Sequence, residues 1–289
     1  VTKPVPTIAR HEIDTAAADA DVELLGSQLE VFVDLAKYSP DALNGVLQYS
    51  LYEVGYRTAG DPAASWSDTW NAVVRAMQAG SAIFELANHP GEEVSFRLGD
   101  ETIQRKGVGP FIEANAFNWI RAMYLAMICR ERERIDALAA TPIEVLRASG
   151  LEYDEYLYSW VRVWQTYWRQ EDGLVDLILE TMRGTDPAGL RHISEDMTLK
   201  LNYPPVEMFY QLTQRDEEKF NDSLANALEL HQQYWTATPE RRTDPNGYLA
   251  LGPLAVACLA RDAGLTITVV SDYLPRTLLE GGRVGEVST

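Results

Sequence analysis

Apolar residues return every three or four positions over long stretches of this chain, and that period constrains its fold more than any other feature. Trp66, Trp70, Val73, Met77 and Phe84 stand at offsets of 0, 4, 7, 11 and 18, which places them on one face of a long helix. Asp61-Pro62 and Ser65-x-x-Asp68 offer start signals before that row, and Pro90-Gly91 offers a stop after it. A second row, Phe117, Ile120, Tyr124 and Ile128, predicts a helix starting near Pro110. It runs into Arg130 to Arg134, a run of alternating sign expected to be a solvated end. Tyr153 to Arg169, Gly173 to Arg183 and Leu249 to Ala263 read in the same way, the last closed by Gly264. Pro204-Pro205 predicts another helix start, and Phe220, Leu224, Leu228, His231 and Trp235 form the stripe of the helix after it. Asp21 to Arg57 reads as two helices broken at Ser39-Pro40.

One stretch departs from the helical period. Val94, Phe96 and Leu98 alternate with Ser95 and Arg97, and Gly99-Asp100 is a two-residue turn of the type II′ kind. That turn sets Phe96 opposite Ile103 and Glu93 opposite Lys106, an apolar pair and a charge pair. Thr266 to Val270 is a weaker strand candidate. The expected architecture is therefore mainly α. About ten helices pack as antiparallel pairs in one domain spanning residues 1–289, with an inserted β-hairpin at 93–106. Residues 1–20 are expected to include an extended arm.

Charge narrows the function. Lys and Arg number 25 against 43 Asp and Glu, a net charge of −18, which argues against neutralising nucleic-acid phosphates or anionic lipid. The longest uncharged apolar run near the C-terminus, Leu249 to Ala260, falls well short of the about twenty residues that span a bilayer. The first residues carry no apolar signal core, so a cytoplasmic location is expected, with no membrane partner. Cys129 and Cys258 both lie in apolar helical stretches and are expected to be buried thiols.

Catalytic signatures are missing. The sequence holds no G-x-x-x-x-G-K-[ST], no G-x-G-x-x-G after a strand, no G-x-S-x-G and no H-E-x-x-H. An Asp-rich metal motif would suit a helical terpenoid-type enzyme, but Glu152-Tyr153-Asp154-Glu155 has the wrong spacing. The histidines supply no Glu-x-x-His pair, since Glu85 precedes His89 by four residues and Glu229 precedes His231 by two. No enzyme, metal or cofactor is expected. His231, on an apolar stripe, reads as an interior histidine.

Tyr153, Tyr156, Trp160, Trp164, Tyr167 and Trp168 follow helical steps, with Glu152, Asp154 and Glu155 beside them. These rings either fill the core between helices, the favoured reading, or anchor a partner. On the second reading Glu152, Tyr153, Asp154, Glu155 and Tyr156 form a partner-binding surface, joined by Asp272 and Tyr273. Carboxylates beside phenol rings suit a basic partner. The competing role for Asp154 and Glu155 is to complement the dipole of the helix that starts there.

Several strings together carry a resemblance. They are AMQAGSAIF at Ala76–Phe84, LAMICRE at Leu125–Glu131, VLRASG at Val145–Gly150 and DEYLYSWVRVWQTYW at Asp154–Trp168. NYPPVEMF at Asn202–Phe209, LHQQYWTA at Leu230–Ala237, LALGPLAVACLARDAG at Leu249–Gly264 and SDYLPRTLLEG at Ser271–Gly281 complete the set. Nearly the whole chain, from about Ile8 onward, resembles the immunity protein 49 family of actinobacterial, Streptomyces-like proteins. Glu92–Lys106 and the tail after Glu280 match least. The resemblance implies a mostly helical protein that neutralises a cognate toxin of a polymorphic toxin system by stoichiometric binding. It brings no catalytic residue and no cofactor. The chain's charge favours a basic toxin, because complementary charge speeds capture. The same features fit a helical adaptor or scaffold without a toxin partner.

Overall fold

A computed structural model of the chain describes residues 6–287, and several of its helices begin at a side chain that satisfies free N–H groups. The Asp14 carboxylate accepts the N–H groups of Ala16 and Ala17, both at 3.1 Å, and opens α1 (Thr15–Ala36). The chain breaks at Ser39-Pro40 as expected and resumes in α2 (Ala42–Gly60). Asp61 then organises the next start. Its carboxylate accepts the N–H groups of Ser65 and Trp66, each at 2.8 Å, and the hydroxyls of Ser65 and Thr69. Helix α3 (Ser67–Asn88) follows. Trp70, Val73, Met77 and Phe84 are buried along it, whereas Trp66 sits at the N-cap and is exposed, outside the row assigned to it.

Strands β1 (Glu93–Leu98) and β2 (Glu101–Lys106) pair antiparallel in the expected register, Phe96 opposite Ile103 and Glu93 opposite Lys106. Gly99 turns the hairpin at φ +62°, a backbone state that side chains disfavour. Helix α4 (Ala116–Cys129) starts later than Pro110, because Asn115 caps it by accepting the N–H of Asn118 at 3.0 Å.

The run Arg130–Arg134 is a solvated end only in part: Arg132 and Glu133 are exposed, but Arg130 is not. Arg130 takes a left-handed conformation (φ 59°) that stops α4 and turns its guanidinium inward. There it donates to the carbonyls of Ile128 and Leu278 at 2.7 Å and of Leu279 at 2.8 Å. Arg132 already belongs to α5 (Arg132–Ala139), and α6 (Ile143–Arg147), α7 (Glu155–Arg169) and α8 (Leu174–Gly184) follow.

Pro204-Pro205 stand in the first turn of a helix, as expected, but that helix does not start from a loop. The chain runs continuously from α9 (Glu195–Met197) through a π-helical turn (Thr198–Asn202) into α10 (Tyr203–Thr213). In that turn the N–H of Tyr203 reaches back to the carbonyl of Thr198. The wider turn accommodates two adjacent residues that have no N–H to donate. Then come α11 (Glu217–Trp235), α12 (Pro239–Arg242), α13 (Leu251–Asp262) and α14 (Arg276–Glu280). Gly264 closes α13 at φ +95°.

Thr266–Val270 does not form a strand. Val270 makes one isolated parallel bridge to Thr7, through Ile8 N–H to Val270 O and Val270 N–H to Pro6 O. Residues 6–14 are non-helical and Thr15–Ala20 are already in α1; the first five residues of the expected arm lie outside those described.

The fold is mainly α with one small hairpin, divided into more pieces than ten because α6, α9, α12 and α14 are short. Consecutive helices pack on one another, α1 on α2, α2 on α3, α3 on α4, α7 on α8 and α10 on α11, while α13 crosses back onto α4. A connected cluster of buried residues runs from Leu29 in α1 to Leu278 in α14. Trp70, Trp119 and Trp164 are among its largest fully buried side chains. Among the described residues no helix is long and apolar enough to cross a membrane.

Candidate functional site

The acid-rich start of α7 divides into side chains that face solvent and side chains that hold the loop. Glu152 and Glu155 are exposed, and Tyr153 is half-buried. Asp154 is buried. Its carboxylate accepts three successive backbone N–H groups, those of Arg191 (2.7 Å), His192 (3.2 Å) and Ile193 (2.9 Å), and so pins the segment leading into α9. Glu155 makes a two-point ion pair with Arg147 at 2.6 and 2.9 Å, and Arg147 also lies over the Tyr158 ring. That pairing holds the Glu155 carboxyl below its ordinary range. Tyr156 is buried, its hydroxyl 3.1 Å from the Thr198 hydroxyl and accepting the Asn202 amide at 2.9 Å. Asp154 and Tyr156 therefore present no surface here, because both satisfy polar groups of the 191–202 segment.

Asp272 is exposed and Tyr273 is fully buried. The Tyr273 hydroxyl lies 2.7 Å from Nδ1 of His11 and accepts the His11 backbone N–H at 3.2 Å. Tyr273 thus fastens the N-terminal segment instead of offering an aromatic anchor. His231 packs edge-on against the same ring at 4.9 Å and meets the Gly247 carbonyl through Nε2 at 3.0 Å. A carbonyl only accepts, so Nε2 carries the proton, and burial pushes the His231 pKa down to about 4. It is an interior histidine, as expected.

The aromatic belt is mostly core. Trp160 and Trp164 are buried, 4.9 Å apart edge to face, and Phe209 lies 4.5 Å from Trp164. Tyr167 and Trp168 are only half-buried. One end of the belt, Tyr156, Leu157 and Trp160, forms a wall of a cavity of about 190 Å³. Helix α4 supplies the facing wall with Phe117, Ile120, Arg121 and Tyr124, a set of i, i+3 and i+4 neighbours. The π-helical turn contributes Leu201 and Asn202, and α11 contributes His231, Tyr234 and Trp235.

Arg121 was not among the expected site residues, although the sequence carries a signal for it. It is the single charged residue of the largely apolar α4. Its guanidinium sits over the Phe117 ring at 4.5 Å, and burial pushes its pKa down to about 10. Tyr124 accepts the indole N–H of Trp160 at 2.8 Å, and burial raises the Tyr124 pKa, so its hydroxyl keeps its own proton. Among the described residues no group of His, Cys, Asp and Glu side chains is placed to hold a metal ion.

A separate feature lies on α1. Leu24, Val31 and Leu35 are exposed on one face of that helix and Tyr38 is exposed just beyond its end, with the exposed carboxylates Glu23, Glu30 and Asp34 alongside.

Residues 61–278, from the Asp61 loop to α14, match the family described as Immunity protein 49. The chain belongs to the immunity protein 49 family. That match covers most of the chain and takes in α3 to α13, the hairpin and nearly all of the cavity wall, while α1 and α2 precede it. Comparison with curated proteins and with solved structures found no match. The immunity protein family is not an enzyme family.

Proposed function

We propose that this protein neutralises a cognate toxin by binding it stoichiometrically in the cytoplasm. Membership of the immunity protein 49 family over residues 61–278 carries this reading. The net charge of −18 supports a basic toxin, whose approach the field of the chain would accelerate.

Exposure selects among the expected contact residues. Glu152, Glu155, Asp272 and the half-buried Tyr153 face outward and belong to the toxin-binding surface. Asp154, Tyr156 and Tyr273 support those residues from behind. The outer face of α1 offers the surface what the acidic patch lacks, exposed apolar side chains (Leu24, Val31 and Leu35) beside carboxylates.

Co-expression tests the reading directly. Cells producing each toxin encoded beside this gene should survive only when the matching toxin is paired with this chain, and a one-to-one complex should co-elute. Failure against every neighbouring toxin, with capture of non-toxin proteins instead, would favour a helical adaptor.

A further inference from the structure

The cavity beside α4 contains a cation, Arg121, with no ion-pair partner among the described residues; of the carboxylates, only the more distant Asp244 acts on its charge. Arg121 donates to one protein acceptor, the neutral side-chain oxygen of Gln48 at 2.9 Å. No carboxylate lies within ion-pair distance of it among the described residues. The acid of that neighbourhood is held two amides away: Gln48 donates to Asn246 at 3.1 Å, and Asn246 donates to Asp244 at 2.9 Å. Carboxylates are not scarce, since the chain has 43 of them against 25 Lys and Arg. Arg57, Arg75, Arg130, Arg147 and Arg241 all have acidic partners. Protein surrounds Arg121, yet it keeps accessible surface and lines the cavity. A desolvated guanidinium in such a place attracts an anion far more strongly than one in water.

We propose that this cavity binds a small amphipathic monocarboxylate, an arylalkanoic or branched alkanoic acid, with its carboxylate on Arg121 and its apolar body against Leu157, Trp160 and Val206. Three features of the site select that class. The volume of about 190 Å³ exceeds the roughly 150 Å³ that suffices for benzene, which leaves room for a ring and a short acid arm.

Charge sets the second limit. Arg121 is the one Lys or Arg in the wall, and His231 is neutral near pH 7. A phosphate or dicarboxylate would leave excess negative charge in apolar surroundings. The third feature is donor placement. Tyr124 stands one turn along α4 from Arg121, with its oxygen already occupied by Trp160 and its proton free to give. The π-helical turn that brings Leu201 and Asn202 to the wall is a distortion of the kind that recurs at binding sites.

The test uses the full chain, titrated by calorimetry with 3-phenylpropionate and with its neutral amide. Saturable one-to-one binding of the acid is expected, with the amide at least about tenfold weaker, since the amide cannot neutralise Arg121. Arg121→Gln should bring acid and amide to within about threefold of each other. Val206→Phe, which fills the cavity, should abolish binding of both. The proposal is overturned if wild-type protein binds neither probe, binds both equally, or binds inorganic phosphate more tightly than the acid. It is also overturned if Val206→Phe binds the acid as wild type does. Should Arg121→Gln fail to fold, the wild-type comparison and Val206→Phe still decide. Loss of this site would leave toxin neutralisation standing, because Glu152, Glu155 and Asp272 do not line the cavity.

Discussion

His11 and Tyr273, far apart in sequence, meet at 2.7 Å between Nδ1 and the phenol oxygen. His11 Nε2 faces the Arg242 carbonyl at 3.2 Å, so in the neutral ring Nε2 carries the proton and Nδ1 accepts from Tyr273. Protonating His11 would make Nδ1 a donor, so the Tyr273 hydroxyl would have to stop donating to it and accept instead. Burial, with Arg10 and Arg242 nearby, pushes its pKa down, against a weaker upward pull from the Arg242 carbonyl.

Stability should therefore fall on the acid side of neutrality. A histidine whose folded pKa lies below its unfolded value near 6.5 stabilises the fold fully above that value. The contribution is lost as pH falls through the window down to the folded value, which for His231 is about 4. For His231 that contribution is at most about 3 kcal/mol. The Tm should drop steeply between pH 6.5 and 4.5, and His231→Gln should show a shallower drop over the same range. An equal slope in wild type and variant would remove His231 as the cause.

Arg130 should anchor the C-terminal segment. Its guanidinium joins the end of α4 to two carbonyls of α14 and pairs with Asp262 at 3.1 Å. Replacing it with Met keeps the stem but removes the charged donor shared by Ile128, Leu278 and Leu279 and the ion pair to Asp262, at a cost of roughly 1–3 kcal/mol. Limited proteolysis should then cut near residues 276–284 at protease levels that spare wild-type protein. An unchanged cleavage pattern would contradict this role.

The sequence made the helices and the hairpin legible because each rests on short-range rules. The period fixes the buried face of α3, and Gly99 fixes the register that sets Phe96 opposite Ile103. Arg130 was misread because its role depends on Leu278, which no local pattern brings to its side. Pro204-Pro205 marks the first turn of α10, but no local pattern announces the π-helical turn that leads into it. The candidate surface was half legible. A carboxylate at a helix start reads alike whether it faces solvent, as Glu155 does, or captures a distant loop, as Asp154 does.

Both thiols should be inert in the folded chain. Cys129 and Cys258 are free and buried, and burial pushes each pKa up to about 12, so almost no thiolate exists at pH 8. A disulfide reagent at that pH should find no fast-reacting thiol in native protein, and both should react once guanidinium unfolds it. Rapid native reaction at either position would show that α4 or α13 opens locally.

Asp154 and its acidic neighbours should separate stability from partner binding. Asp154→Asn keeps the side chain's shape but turns an NH₂ toward backbone N–H groups that the carboxylate now accepts at 2.7–3.2 Å. Losing charge-assisted acceptance there costs about 2–3 kcal/mol, a fall of roughly 5–10 °C in Tm for a chain of this size. Glu152 is exposed, and Glu155 holds only an exposed ion pair with Arg147, so reversing both charges should leave Tm within about 2 °C. On a toxin-facing surface the same double reversal should slow association with a basic toxin, most at low salt where screening is weakest. Stopped-flow association at two ionic strengths, beside thermal melts of both variants, makes the comparison. A normal association rate for Glu152→Lys with Glu155→Lys would take these carboxylates out of the interface and direct attention to the Leu24, Val31 and Leu35 face of α1.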